Sequence, residues 1–429
     1  MEQYTVKKMS RGQSIQVTVP GSKSITNRAL LLAALSKGLC TLKGVLFSAD
    51  SRAFLGCLQS LGFELNIDET QKQVTIQGTG GSIPNRQATI HVGSAGTAAR
   101  FLTVFLAMAG GSYTLDATPQ MRKRPMEPLL QTLREAGIEI VCLEQEGHFP
   151  FEIHSQGIQL QQVTIDTTVS SQFASALMMS GVLAEKGLEI HLTGERTMGS
   201  YIKMTLNMME QFGIPVEFSD GICRIPGGIR PDIRTYQIEP DVSGAGYFFA
   251  MAPLLQSCVQ VVNVHLDSMQ GDIRFLDICK EMGCVIIDAP EGVLIDGRRV
   301  DTYPGVNVCM KDFSDQTLTL AAIAPFAYSD TRITGVGHIR KQESDRMAVI
   351  LNELARMGVA CEELPEEDGI LIHPGQVQPA EVETYEDHRV AMAFTLPGLR
   401  TGNIVIKNPG CCAKTFENYF ELIDSLTQK

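Results

Sequence analysis

The stretch "TLREAGIEIVC", Thr132–Cys142, decides the fold. It reads as the end of an amphipathic helix, a glycine and a short apolar strand. Gly137 stands where a helix closes in a left-handed cap, a conformation open to glycine. Four more stretches repeat the design: "CLQSLGFELNI" (57–67), "MMEQFGIPVEF" (208–218), "ICKEMGCVIID" (278–288) and "ELARMGVACEE" (353–363). In chain order the glycines are Gly62, Gly137, Gly213, Gly283 and Gly358, spaced 75, 76, 70 and 75 residues apart. One such match carries no weight, but five at a near-constant period define a repeat.

A sixth copy would place its glycine where the chain runs out. "TFENYFELIDSL", Thr415–Leu426, supplies its helix. Its strands are expected at the other end, where residues 4–8 ("YTVKK") and 14–19 ("SIQVTV") read as a hairpin. The layout is then discontinuous. Residues 21–240 form one domain of three units, and residues 1–20 plus 241–429 form a second, closed by both termini.

A second set of helices interleaves with the first and is apolar all round, the mark of a buried helix. They read "ALLLAAL" (29–35), "ARFLTVFLAMAG" (99–110), "FASALMMSGVL" (173–183), "GYFFAMAPLL" (246–255), "TLTLAAIAPFA" (317–327) and "RVAMAFTLPGL" (389–399). Each follows a polar head: "SKSITNR", "GSAGT", "VSSQ", "DVSGA", "FSDQ" and "EDHR". The head residues Ser24, Thr97, Ser171, Ser243, Asp315 and His388 step by 73, 74, 72, 72 and 73. Each unit therefore reads strand, buried helix, strand, exposed helix, strand, strand, an α/β design. Parallel buried helices would present their N-termini on one face and attract anions there. Two such faces opposed would make a deep interdomain cleft.

The bulk numbers agree with a soluble globular protein. The chain has 429 residues, 44% hydrophobic and 20% charged, with a net charge of −12. That balance argues against nucleic acid and acidic membranes as partners. No stretch is apolar for long enough to be a signal peptide or a membrane span. Eleven cysteines without a "CxxC" read as free thiols in a reducing cytosol, Cys411 and Cys412 included. "GSKS" is no phosphate-binding P-loop, since Ser22 and Val17 stand where glycines are needed. No dinucleotide fingerprint, serine elbow or zinc-spaced histidine pair occurs.

Serine or aspartate at a helix start is ordinarily a cap, and Ser243 is read as one. Capping does not explain basic residues there, because they oppose the helix dipole. Lys23 and Arg28 bracket one helix start, and Arg124, Arg346, His388 with Arg389, and Lys414 stand at others. Basic residues at five helix starts, at equivalent points of the repeat, suit an anionic ligand. Asp315 and Glu343, set among them, are candidates to take and give protons.

Taken together the heads closely resemble the 5-enolpyruvylshikimate-3-phosphate (EPSP) synthase family of enolpyruvyl transferases. The carrying motifs are "PGSKSITNRALLLAAL", "GSAGTAAR", "KRPMEPLL", "SSQFASAL", "YIKMTL", "QGDIRF", "SDQTLTLA", "ESDRM", "DHRVAMAF" and "AKTF", collinear over essentially the whole chain. The resemblance implies a two-domain inside-out α/β barrel, each domain three βαβαββ units, with the active site in the interdomain cleft. It implies transfer of the enolpyruvyl group of phosphoenolpyruvate to the 5-hydroxyl of shikimate 3-phosphate, with no metal or cofactor. By resemblance, Lys23, Ser94, Gly96, Arg124, Gln172, Glu343, Arg346, Arg389 and Lys414 hold phosphoenolpyruvate. Lys23, Ser24, Arg28, Ser170, Ser171, Gln172, Tyr201, Asp315 and Gln342 hold shikimate 3-phosphate. Asp315 is the implied base, Glu343 the implied acid, and Lys23 and His388 assist. The chain departs from the usual pattern at Ser94 (commonly Asn), Phe101 (commonly Pro), Met198 (commonly Ser), Gln342 (commonly Lys) and His338 (commonly Asn). Ser94 and Phe101 imply altered sensitivity to the phosphonate inhibitor glyphosate. A cytoplasmic monomer is expected. The rival is the sister transferase acting on UDP-N-acetylglucosamine, whose usual cysteine near Arg124 is missing here. A non-catalytic anion-binding homologue is the other.

Overall fold

All five repeat glycines adopt positive φ, between +72° at Gly358 and +95° at Gly283. Each sits in the same double-bonded cap. The glycine N–H reaches the carbonyl three residues back, and the next N–H reaches five back: Gly137 to Arg134 O, Ile138 to Leu133 O. The pairs Phe63/Leu58, Ile214/Met209, Cys284/Cys279 and Val359/Leu354 repeat it. In each pair both side chains are buried, adding the apolar contact that accompanies this cap. The 75-residue period is thus a period of one local device.

The computed structural model describes residues 2–158, 161–168, 170–194 and 197–428. The chain forms two compact units, Gly21–Glu239 and Met1–Pro20 with Pro240–Lys429.

Among the described residues of Gly21–Glu239 there are three four-stranded sheets. Two have a simple order: Gln87–His91, Gly111–Asp116, Phe151–Ser155, Glu139–Cys142, and likewise Gln162–Asp166, Leu188–Thr193, Ile222–Ile225, Glu217–Ser219. The first two strands are parallel, joined across a buried helix, and the last two are antiparallel. The remaining sheet borrows its first strand. Thr235–Gln237, from the far end of the unit, lies parallel to Lys37–Lys43.

The other unit follows the same plan with two four-stranded sheets and one of three strands. The N-terminal segment does not form the expected hairpin. Gln3–Val6 pairs antiparallel with Ile404–Lys407, while Ser14–Val17 pairs parallel with Cys258–Val262 in a different sheet. The link between them binds helix ends instead of turning: Met9 N–H bonds Leu399 O at 2.8 Å and Gly12 N–H bonds Leu255 O at 3.1 Å. Tyr4 then ties the first strand to the last helix, stacking 4.4 Å from Phe420 and donating to Asp424 at 2.9 Å.

No sheet among the described residues closes into a barrel. The buried helices form the interior of each unit and the separate sheets lie around them. Lys23–Leu35, Gly96–Ala109 and Ser171–Ser180 pack on one another in the first unit. Val242–Leu255 is buried at every residue. It packs with Thr317–Ile323 and Thr395–Thr401 in the second unit. No helix among the described residues is long and apolar enough to cross a membrane.

Candidate active site

In Gly21–Glu239 the starts of the three buried helices are linked by side chains. Asn27 donates to Thr97 Oγ1 at 2.5 Å, joining the first helix to the second. Arg100 of the second donates to Gln172 Oε1 of the third at 2.9 Å, and to Gly96 O at 3.1 Å. Arg28 of the first reaches Ser175 Oγ of the third at 3.2 Å and Thr205 Oγ1 of helix Ser200–Gln211 at 2.8 Å. The helix N-termini, with their unpaired N–H groups, therefore share one face.

Arg28 is 0% exposed. It also donates to Ser24 O at 3.0 Å and Tyr201 O at 3.4 Å. Its guanidinium carbon lies 5.4 Å from the Phe101 ring centre and 5.8 Å from that of Tyr201. Burial pulls its pKa down to about 10. Phe101 thus serves as a packing surface for a buried cation.

Lys23 Nζ is 3.6 Å from the buried Asp50 carboxylate. Ser94 Oγ shares a hydrogen with Thr118 Oγ1 at 2.9 Å. Ser170 caps its helix by accepting from Gln172 N–H at 3.3 Å, and Ser171 is the first helical residue. Gly96 opens another helix, and a methyl group there would come 2.5 Å from an Arg100 nitrogen and 2.9 Å from an Arg124 nitrogen. Glycine lets two guanidinium groups close on a helix start. Arg124 has no side-chain hydrogen bond or ion pair among the described residues, and its Nε is buried. Ser200 opens its helix, and Met198 before it is exposed.

In the other unit the heads carry acids and bases in mutual contact. Arg346 is 1% exposed and holds three carboxylates. It bonds Asp387 at 2.8 and 3.2 Å, Asp315 at 3.1 Å and Glu343 at 3.2 Å, and also Gln342 Oε1. Asp315 gains a second cation, Arg389, at 2.8 Å, and Glu343 gains Lys414 at 3.4 Å. His388 is buried with Nδ1 3.8 Å from Asp387. His338 shares a hydrogen with Ser314 Oγ at 2.8 Å, beside Asp315. Burial opposes the charge of Arg346, but Asp387, Glu343 and Asp315 outweigh it and raise its pKa. Asp272, tied to Ser243 Oγ, is pushed up to about 7 by burial and then by Asp315, against the pull of Arg389.

The two clusters differ in charge. The first gathers Lys23, Arg28, Arg100 and Arg124, with Asp50 paired to Lys23. Arg346, Arg389 and Lys414 face Asp315, Glu343, Asp387 and Asp272. The first cluster is an anion trap as it stands. The second is self-compensated, and an anionic ligand must take its cations from resident carboxylates.

A family model for EPSP synthase (3-phosphoshikimate 1-carboxyvinyltransferase) matches residues 8–423. The chain belongs to the EPSP synthase family. The 3-phosphoshikimate 1-carboxyvinyltransferase of Nostoc punctiforme is 41% identical over 421 residues, 98% of each chain. The chloroplastic enzyme of Brassica napus is 35% identical over 428 residues, covering 96% of this chain and 83% of that one. The EPSP synthase structure from Acinetobacter baumannii superposes with a TM-score of 0.83 at 25% identity, covering 100% and 98% of the two chains. As an EPSP synthase family member the chain is a transferase of the shikimate pathway. It moves the enolpyruvyl group from phosphoenolpyruvate to shikimate 3-phosphate in aromatic amino-acid biosynthesis. The sister reaction on UDP-N-acetylglucosamine is not favoured.

Sequence reasoning passes over three residues of this candidate site that lie inside quoted motifs. Arg100 closes "GSAGTAAR", and Asp387 sits in "EDHR". Asp272 sits in "QGDIRF", while Asp50 carries no such signal, because an acid near a helix start reads as a cap.

Proposed function

We propose that Asp315 and Glu343 perform the proton transfers of enolpyruvyl transfer, and that the cations around them are the phosphoenolpyruvate clamp. The observation that carries this is the sharing of one buried guanidinium, Arg346, by both carboxylates. Each also meets a further cation, Arg389 for Asp315 and Lys414 for Glu343.

Phosphoenolpyruvate brings a carboxylate and a phosphate to compete for Arg346, Arg389 and Lys414, with Arg124, Lys23, Ser94, Gly96 and Gln172 as further contacts. Losing cationic partners raises the proton affinity of both resident acids. Asp315 then accepts the 5-hydroxyl proton as that oxygen bonds to the enol carbon. Glu343 delivers a proton to the methylene carbon, giving a tetrahedral intermediate. In the second half a methyl proton returns to Glu343, the double bond re-forms and phosphate leaves, assisted by Lys23 and His388. Positioning and charge neutralisation supply the acceleration.

Shikimate 3-phosphate is assigned to Lys23, Ser24, Ser170, Ser171, Gln172, Tyr201, Asp315 and Gln342. Arg28, spent on internal oxygens, contributes by fixing Ser24 and Tyr201, or by exchanging one of those oxygens for the substrate. Eleven free cysteines support a reducing, cytoplasmic setting, and the net charge of −12 supports small anions over nucleic acid as partners. A monomer is proposed, which sedimentation tests.

The deciding assay follows phosphate release from phosphoenolpyruvate with either shikimate 3-phosphate or UDP-N-acetylglucosamine. Release with the shikimate ester alone is expected. No release with either would leave an anion-binding homologue.

A further inference from the structure

The residues that deliver Asp387, His388 and Arg389 to the cluster form a tight turn of unfavourable composition. Tyr385 and Glu386 have φ of +53° and +57°, and Asp387 N–H bonds Thr384 O at 2.8 Å. Two successive positive φ values closed by such a bond mark a type I′ turn, which selects asparagine and glycine. Tyrosine and glutamate there are strained and persist only where surroundings hold them.

What holds them is Glu353. Its side chain is fully buried, on the helix Arg346–Arg356 that begins with Arg346. One oxygen accepts from Tyr385 Oη at 2.8 Å and the other from Glu383 N–H at 3.2 Å. Arg356 Nε lies 3.3 Å from the first oxygen. The turn is therefore fastened twice to one helix, at Glu353 through Tyr385 and Glu383, and at Arg346 through Asp387. Tyr385 is itself 39% exposed, so its hydroxyl is not placed by core packing.

We propose that Tyr385 and Glu353 are positioning residues for the phosphoenolpyruvate clamp, holding a strained turn so that Asp387 meets Arg346 and Arg389 meets Asp315. Neither touches substrate. The inference rests on the assignment of Arg346 and Arg389 to phosphoenolpyruvate.

The test uses the full chain with Tyr385→Phe, which removes one hydroxyl and leaves Glu353 paired with Arg356. KM for phosphoenolpyruvate should rise roughly tenfold, the scale of one lost hydrogen bond to a charged group. KM for shikimate 3-phosphate should change much less. Adding Glu386→Asn, a residue that tolerates positive φ, should restore most of the loss. A general loss of packing would not be repaired that way. Amide exchange at Asp387, Arg389, Val390 and Ala391 should also quicken in Tyr385→Phe, with the rest of the unit unchanged. Unchanged KM and unchanged exchange overturn the proposal, as does a defect that Glu386→Asn leaves intact. Should the unsubstituted protein release no phosphate from the two substrates, the substrate assignment fails, and exchange alone decides whether the clamp exists.

Discussion

Asp387 grips Arg346 with both carboxylate oxygens, at 2.8 Å to Nε and 3.2 Å to Nη2, and the two side chains are 0% and 1% exposed. A buried pair of this kind is expensive to break from one side, because the survivor keeps an unmatched charge. Asp387→Ala is expected to lower stability by about 3–5 kcal/mol. The urea midpoint of the unit that holds it reads this out. Asp387→Asn keeps an acceptor and should lose less.

Arg124 is the contrasting case, since its side chain has no protein partner among the described residues. Arg124→Met should leave the unfolding midpoint within about 0.5 kcal/mol of the parent. It should raise KM for phosphoenolpyruvate roughly tenfold or more, the worth of a charge-assisted bond. A matching fall in stability would show that the arginine is structural.

Asp315→Ala and Glu343→Gln should reduce kcat by roughly 10²–10⁴ while substrate binding weakens far less, as expected for proton-transfer groups. Isothermal titration of each variant with shikimate 3-phosphate checks the binding half. An equal loss in affinity and none in kcat would remove the acid–base assignment.

Asp272 should tilt the pH dependence of folding. Its folded pKa, about 7, lies above the ordinary carboxylate value. Between about pH 4 and 7 the folded chain keeps a proton that the unfolded chain has released, so stability falls as pH rises through that window and is fullest below it. Asp272→Asn should flatten the slope, by at most about 4 kcal/mol across the window. Denaturant midpoints at both ends, in parent and variant, measure it.

Gly137→Ala and Gly213→Ala isolate the cost of the repeat cap. Both glycines have positive φ, and an added methyl would meet nothing within 4 Å. Each should lower stability by about 1 kcal/mol from backbone conformation alone.

The repeat was legible because Gly62 and its four counterparts do one local job that a sequence displays directly. The pairing of Gln3–Val6 and Ser14–Val17 was not. Two apolar strands close in sequence resemble a hairpin, and only the helix ends that bind Met9 and Gly12 send them to separate sheets. At the candidate site, lysines and arginines at helix starts stood out because they defy the dipole. Asp387 and Asp50 obey it, so nothing in the sequence separates them from caps. The burial of Arg28 was equally hidden, since its partners Ser175 and Thr205 are 147 and 177 residues away.

The borrowed strands have a consequence for how the protein is made. A ribosome delivers Gly21–Glu239 uninterrupted, and its open sheet is completed as soon as Gln237 emerges to lie beside Lys43. Gln3–Val6 has no such luck, because its partner Ile404–Lys407 is translated almost last. At about 5–20 residues per second that strand waits tens of seconds with its edge bare. During synthesis Gln3–Val6 is therefore the strand of its sheet that stays unpaired longest.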